Sequence, residues 1–329
     1  TPELGRESQH QRRALSHYHT LPVRLQRLLW VLCINGALLA LEAILQRLSG
    51  TNKLLWIMAT RFHSAPELQF GPYAYRSNAA SYINLIWPVC LGFWILLRKA
   101  AIRRHRAGTR VGGGSYVVLL PCAVVMAAAP IFSVSRGGAA VAILNIGLAT
   151  VLLFIAARRE GALIRASMLS LFVAILGFSA YLGWKQLQER LQNIFVDNMS
   201  DRPQIYTNAF PMTRDFPVFG TGPGTFGTIY QLYKQENQVW DAYVHDDFLE
   251  TRITFGWVGF GAGLLALGLV LLRWFFRSGI PCSWEFVAFA WLALAGCLFH
   301  AKFDFPFQIY SILFLFLLFC STLFCLSRK

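Results

Sequence analysis

Charge is what this sequence lacks most: Lys, Arg, Asp and Glu make up 14% of its 329 residues, whereas soluble proteins contain about 25%. Hydrophobic residues make up 56%. This balance excludes an ordinary soluble domain and favours a membrane protein. Acidic residues are the scarcer sign, with 16 against 30 Lys and Arg, which leaves a net charge of +14.

Cysteine is absent from the long polar segment where disulfide bonds could form. All seven cysteines lie in or beside long apolar runs, and the long polar segment from 185 to 252 contains none. That placement argues against a disulfide framework and against a zinc site. We therefore expect neither a metal nor a cofactor.

Long apolar runs dominate instead, each close to the roughly 20 residues that cross about 30 Å of hydrocarbon. We predict an all-α fold, a polytopic membrane helical bundle with about eight spans. The runs lie near Leu28–Leu48, Ala80–Leu97, Ser115–Val134, Gly137–Ala156, Leu163–Trp184, Ile253–Phe276, Trp284–His300 and Pro306–Cys325.

The positions of Lys and Arg predict the orientation of the bundle. If both termini face the cytoplasm, the cytoplasmic segments carry the whole net charge of +14, and the outer segments are neutral. This distribution follows the positive-inside rule, so the basic composition does not indicate nucleic-acid binding. The polar start at Thr1, without an initiator methionine, leaves open that earlier spans precede this chain.

Four regions follow from this topology. Residues 1–27 form a cytoplasmic polar segment, 28–184 the first five spans, 185–252 an extracytoplasmic segment and 253–325 the last three spans. Segment 185–252 is too long for a simple connection and is rich in aromatic residues that can bury surface. We predict that it folds as a cap on the bundle, and we call it the cap.

Two of the outer arginines lie at the entrances of predicted spans. Arg136, in "SVSRGGAAV", lies in a tight outer turn. Ser135 can cap the helix that follows, and Gly137 and Gly138 leave its first N–H groups uncovered, which suits an anion such as phosphate. Arg76 and Asn78, in "FGPYAYRSNAASY", begin the second span, and a guanidinium can bind a diphosphate through two hydrogen bonds. The alternative for Arg136 is contact with lipid headgroups, and the alternative for Arg76 and Asn78 is an ordinary role as anchors at the membrane interface.

The cap contains two motifs. In "GTGPGTFG" the Gly-Lys-Ser/Thr ending of a phosphate loop is missing, so we reject nucleotide binding and predict a rigid turn that brings backbone close to a ligand or a helix. In "YVHDDFLE" the histidine His245 precedes Asp246, Asp247 and Glu250. This cluster is a candidate for acid–base chemistry; the alternative is a structural histidine followed by two aspartates that favour the start of a helix. A metal site formed by His245, Asp246 and Asp247 is a weaker option, because adjacent residues seldom all face one ion.

The order of these motifs resembles the O-antigen ligase and O-antigen polymerase superfamily. The resemblance rests on the outer "SRGG", the earlier Arg76 and Asn78, Arg202 followed by "DFPVFGTGPGTF", then "HDDFLE" leading into a span, and the later "FDFPFQ". It covers roughly Phe70 to Tyr310. The family usually has His-Asn-Asp where this chain has His245 and two aspartates.

The resemblance implies a metal-independent GT-C-type glycosyltransferase in the bacterial inner membrane. Such an enzyme moves a glycan from an undecaprenyl diphosphate carrier to an acceptor hydroxyl on the extracytoplasmic side. The acceptor would be lipid A core, as in lipopolysaccharide biosynthesis, or a growing polysaccharide. A polymerase of repeat units is the alternative within this chemistry, and a non-enzymatic exporter of lipid-linked glycans is the alternative outside it.

Roles for individual residues follow from this chemistry. Arg76, Arg136 and Arg202 would stabilise the leaving diphosphate, and His245 would accept the proton of the acceptor hydroxyl, because histidine titrates near neutral pH. Asp246 or Asp247 would orient the histidine ring. Secondary candidates for the same site are Asn78, Glu250, His300 and Asp304.

Overall fold

The computed structural model describes residues 21–59, 68–106, 114–158, 202–235, 242–273 and 283–327, with single helical positions at 170, 173 and 177. Helix dominates, and the two short strands β1 (Lys53–Leu54) and β2 (Met58–Ala59) pair in an antiparallel hairpin. The helices are α1 Val23–Leu48, α2 Arg76–Arg106, α3 Leu119–Phe132, α4 Arg136–Ala156, α5 Arg202–Ala209, α6 Met212–Asp215, α7 Phe226–Ile229, α8 Asp247–Leu272, α9 Trp284–Ala301 and α10 Tyr310–Leu326.

Six of the described helices are long and apolar enough to cross a membrane: α1, α2, α3 with the turn before it, α4, α8 and α9. Helix α10 is a shorter apolar helix. These elements confirm the all-α, multi-pass membrane class. The count of eight spans stays a prediction, because almost all of the fifth run, Leu163–Trp184, lies outside the described residues.

Helix α2 is the centre of the bundle and packs against α1, α3, α4, α9 and α10. Its side chains Trp87 and Phe93 are fully buried. Gly92 lets α9 approach closely, because a Cβ at this position would lie 2.8 Å from Cβ of Phe289. The apolar positions of α2 therefore bury themselves between helices, where small residues permit close packing.

An ion pair marks one end of the bundle. Lys99, near the end of α2, pairs with Glu285 in the first turn of α9. The two helices are thus antiparallel, and the start of α2 at Arg76 lies at the same end as the last turn of α9. The sequence-based topology puts Lys99 and Glu285 together on the cytoplasmic side, and the packing agrees with that pairing.

The described part of the cap has an apolar cluster of its own. The members of this cluster come from α5, α6, α7 and the 3₁₀ turn after it, the segment before α8 and α8 itself: Ile205, Ala209, Met212, Phe226, Tyr230, Val244 and Ile253. This packing ties the cap to the first turns of α8. The predicted region boundaries stay a prediction, since residues 1–20 and most of 159–201 lie outside the described residues.

Helix α8 is interrupted at Gly256, which has φ 62° and ψ −168°, a conformation that is essentially restricted to glycine. The cap segment 217–222 lies against the break. Its backbone accepts hydrogen bonds from Trp257 and Val258 and donates to the carbonyls of Ile253 and Thr254, at 2.8 to 3.1 Å. The glycine-rich cap motif thus brings backbone close to a helix, which confirms the turn predicted from the sequence.

Replacement of Gly256 by alanine should destabilise the protein. The added Cβ would lie 2.2 Å from the carbonyl oxygen of Val218, and the backbone conformation is itself unfavourable for alanine. We expect a loss of more than about 2 kcal/mol of folding free energy, measured as a lower unfolding temperature in nanodiscs. The control is Gly261→Ala on the same helix, where a Cβ meets nothing within 4 Å. Equal stability of the two variants would contradict this account of the break.

Candidate functional site

Three helices and the cap bring chemically active side chains together at one end of the bundle. The start of α2, the start of α4 and the turn after α9 are joined through Ser77, which contacts Ser135, His300 and Asp304. The cap contributes His245, whose ring lies against Asp304. Residues that are up to 227 positions apart in the sequence therefore meet in one cluster.

His245 has an unusual backbone conformation. Its φ of +61° is in the left-handed region, which a residue with a side chain seldom adopts. Two hydrogen bonds stabilise this conformation: the Tyr206 hydroxyl donates to the His245 carbonyl at 3.0 Å, and Glu250 accepts from the N–H of Val244 at 3.0 Å. Such backbone strain is concentrated at functional sites. Glu250 thus fixes the turn that presents the histidine.

Asp304 is the acidic partner of the His245 ring. Oδ1 of Asp304 lies 3.3 Å from Nδ1 of His245 and 3.1 Å from the N–H of Phe305, which donates to it. Ser77 donates to the other oxygen. Burial raises the pKa of Asp304, but the hydrogen bond from His245, the neighbouring His300 and the hydrogen bond from Ser77 outweigh it and hold the pKa below its usual value. The carboxylate is therefore ionised at neutral pH.

Asp246 and Asp247 lie next to His245 in sequence but point elsewhere. Asp246 caps α8 by accepting from the N–H groups of Phe248 and Leu249, and it pairs with Lys302. Asp247 accepts from the N–H of Phe307 at 2.7 Å and from the Gln308 side chain at 3.3 Å. Both carboxylates hold the start of α8 to the turn after α9, and the carboxylate beside the histidine ring is Asp304, which the sequence ranked as secondary.

Aromatic rings surround His245. Phe305 is stacked between Tyr243, at 4.3 Å between ring centroids, and Tyr75, at 5.5 Å. The His245 ring contacts Phe305 edge-on at 4.9 Å. Burial raises the pKa of Tyr75 to about 12, and this phenol accepts a hydrogen bond from Arg202. These rings pack around the imidazole and bury part of its surface.

The start of α4 adds a helix N-terminus to the site. Ser135 caps α4, because its hydroxyl accepts from the N–H of Gly138 at 3.1 Å. His300 lies next to this turn, since a Cβ on Gly137 would be 3.1 Å from its Nε2. Gly138 also allows α2 to approach, as a Cβ there would be 2.4 Å from that of Ala80. The positive end of the α4 dipole is thus directed into the cluster.

The three arginines predicted from the sequence occupy the same end of the bundle. Arg136 is the first residue of α4, and Arg76 is the first residue of α2. Arg202 begins α5 and donates to the carbonyl of Phe303 at 2.8 Å. All three are partly exposed and therefore accessible from outside. Asn78 is buried in the first turn of α2.

Two members of the cluster had not been singled out as site residues from the sequence: Ser77 and Tyr75. The signal for both was their position beside Arg76 at the entrance of a span, where the tyrosine also fits an interfacial anchor. Among the described residues no group of three or more His, Cys, Asp or Glu side chains is arranged to hold a metal ion. The arrangement offers an oriented imidazole, an ionised carboxylate and three cationic groups.

Comparison with known proteins gives one family match, which covers part of this cluster. Residues 121–264 match the family model described as O-Antigen ligase, and this range includes Arg136, Arg202, His245 and the start of α8. No curated protein and no solved structure matches the chain. Ser77, on α2, and Asp304, in the turn after α9, lie outside the matched range. The match covers less than half of the chain and supports a relationship of residues 121–264 to the O-antigen ligase superfamily.

Proposed function

We propose that this protein transfers a glycan from an undecaprenyl diphosphate carrier to an acceptor hydroxyl on the outer face of the bacterial inner membrane. The family supports an enzyme of the ligase or polymerase type that acts on lipid-linked glycans. The observation that carries the proposal is the His245–Asp304 pair at 3.3 Å, set among three arginines at one end of a membrane bundle. A base and an anion-binding group are what this transfer needs.

The proposed base is His245. An ionised Asp304 accepts from Nδ1, so the neutral imidazole carries its proton there and Nε2 keeps a lone pair. As the acceptor oxygen bonds to the anomeric carbon of the donor sugar, Nε2 takes the hydroxyl proton, and the bond from that carbon to the diphosphate oxygen breaks. The resulting imidazolium is stabilised by Asp304. Asp246, Asp247 and Glu250 assist by fixing the turn around the histidine.

The proposed diphosphate site consists of Arg76, Arg136 and Arg202 with the N-terminus of α4. The leaving group gains negative charge as the sugar departs, and positioned cations stabilise that charge. The arginine side chains and the helix dipole act on the same region. No metal takes part in this proposal, because the guanidinium groups supply the positive charge.

The acceptor decides between the two members of this reaction class. Lipid A core as acceptor makes the protein a ligase, and a second lipid-linked repeat makes it a polymerase. Purified protein in nanodiscs with a labelled undecaprenyl diphosphate glycan and each acceptor in turn distinguishes them by the product. Absence of any product with either acceptor, with intact donor binding, would contradict transfer and favour the exporter alternative.

The orientation can be tested in intact cells. Thr207 on α5 belongs to the cap and is exposed, and His105 near the end of α2 is exposed at the opposite end of the bundle. We expect Thr207→Cys to react with a membrane-impermeant maleimide and His105→Cys to react only after permeabilisation, because the cap faces outward. The reverse pattern would place the site on the cytoplasmic side and exclude the proposed donor.

Arg136→Lys tests the diphosphate site. Lysine keeps the charge but loses the planar group that forms two parallel hydrogen bonds with a diphosphate. We expect transfer to fall by at least roughly tenfold, which corresponds to about 1.4 kcal/mol, with normal folding. The control is Arg158→Lys just after the other end of α4, which should transfer normally. Near-normal transfer by Arg136→Lys would assign Arg136 to lipid headgroup contact.

His245→Ala tests the base. We expect transfer to fall by roughly 10² to 10⁴-fold, the usual contribution of a general base, while binding of the lipid-linked donor is retained. The control is His105→Ala, far from the site. A folded His245→Ala protein that transfers at the wild-type rate would remove the histidine from the mechanism. Loss of stability before loss of activity would indicate a structural histidine.

A further inference from the structure

Ser77 occupies the junction of the site. Its side chain is buried, with 3% of the residue exposed, in the first turn of α2. Its hydroxyl oxygen lies 3.1 Å from that of Ser135 on the turn before α4 and 3.2 Å from Nε2 of His300 on α9, and it contacts Asp304. One hydroxyl therefore touches three other elements of the cluster.

The hydrogen inventory fixes the direction of these bonds. An ionised Asp304 can only accept, so the single proton of Ser77 goes to it. Ser135 accepts from the N–H of Gly138 and donates its own proton to Ser77. Ser77 then has one lone pair left, and the 3.2 Å contact with His300 is a hydrogen bond if Nε2 of His300 carries hydrogen. The Ser77 hydroxyl thus donates one hydrogen bond, to Asp304, and accepts from Ser135 and from that His300 tautomer.

We propose that Ser77 is a positioning residue that holds Asp304 in place for His245 and links the histidine to the helix that carries Arg136. The proposal rests on the function proposed above. A continuous chain of hydrogen bonds runs from the N–H of Gly138 through Ser135 and Ser77 to Asp304 and His245. Ser77 acts through Asp304 and touches no reacting atom.

The link has a chemical consequence. Without the Ser77 hydroxyl, the second oxygen of Asp304 is buried with one donor fewer, and rotation about the Cβ–Cγ bond is opposed only by the bonds to Oδ1 from His245 and Phe305. Rotation moves Oδ1 away from Nδ1 of His245, and the neutral ring can then carry its proton on Nε2. In that tautomer Nε2 has no lone pair with which to accept the proton of the acceptor hydroxyl. Donor binding at the arginines does not depend on this orientation.

The test compares Ser77→Ala with Ser81→Ala in nanodiscs. Ser81 is buried one turn further along α2 and makes none of the contacts with Asp304, Ser135 or His300. We expect Ser77→Ala to lower kcat by roughly tenfold, the effect of about 1.4 kcal/mol, with unchanged KM for the donor. Ser81→Ala should keep the wild-type kcat. Wild-type kcat in a folded Ser77→Ala protein overturns the proposal.

A double-mutant cycle separates this proposal from a merely structural role. If Ser77 acts only through the Asp304–His245 pair, Ser77→Ala should have no further effect on the residual rate of His245→Ala. An equal loss in both backgrounds overturns the positioning role. Wild-type activity in His245→Ala itself would contradict the proposed base instead, so the two failures are distinguishable. If Ser77→Ala does not fold, Ser77→Cys replaces it, with the same expected loss of kcat from a weaker donor.

Discussion

The structure at this end of the bundle depends on the burial of one carboxylate. Asp304 is almost completely inaccessible, and an ionised group in such a position is tolerated only when donors surround it. Its donors come from three places: Ser77 on α2, His245 in the cap and the N–H of Phe305 in the turn after α9. The cap and two helices must therefore pack together before the charge is stabilised, and the same requirement fixes the imidazole.

The other acidic residues near the site hold the surrounding backbone in place. Asp246 and Asp247 connect the start of α8 to Lys302, Phe307 and Gln308, and Glu250 holds the turn before His245. The bonds of Asp246 and Asp247 join the start of α8 to the segment after α9. The bond of Glu250 lies within the turn that precedes His245. A change in any of them would act on the histidine through the backbone, which is a different effect from loss of the ring's own partner.

Much of the fold was readable from the sequence, because long apolar runs and the distribution of Lys and Arg reflect the bilayer directly. The grouping of His245 with three arginines followed from their common side of the membrane. The partner of the ring did not follow, since Asp246 and Asp247 were nearer in sequence and the left-handed φ of His245 turns the ring away from them. Ser77 carried no signal of its own, as a single hydroxyl at a span entrance has many ordinary roles.

The interruption of α8 at Gly256 has a consequence for how the protein folds. A break in a helix leaves backbone groups without their intrahelical partners, and here segment 217–222 supplies partners on both sides of the break. The cap is thus part of the backbone hydrogen bonding of a transmembrane helix. Cap and helix form one cooperative unit, so local unfolding of segment 217–222 would open the helix as well.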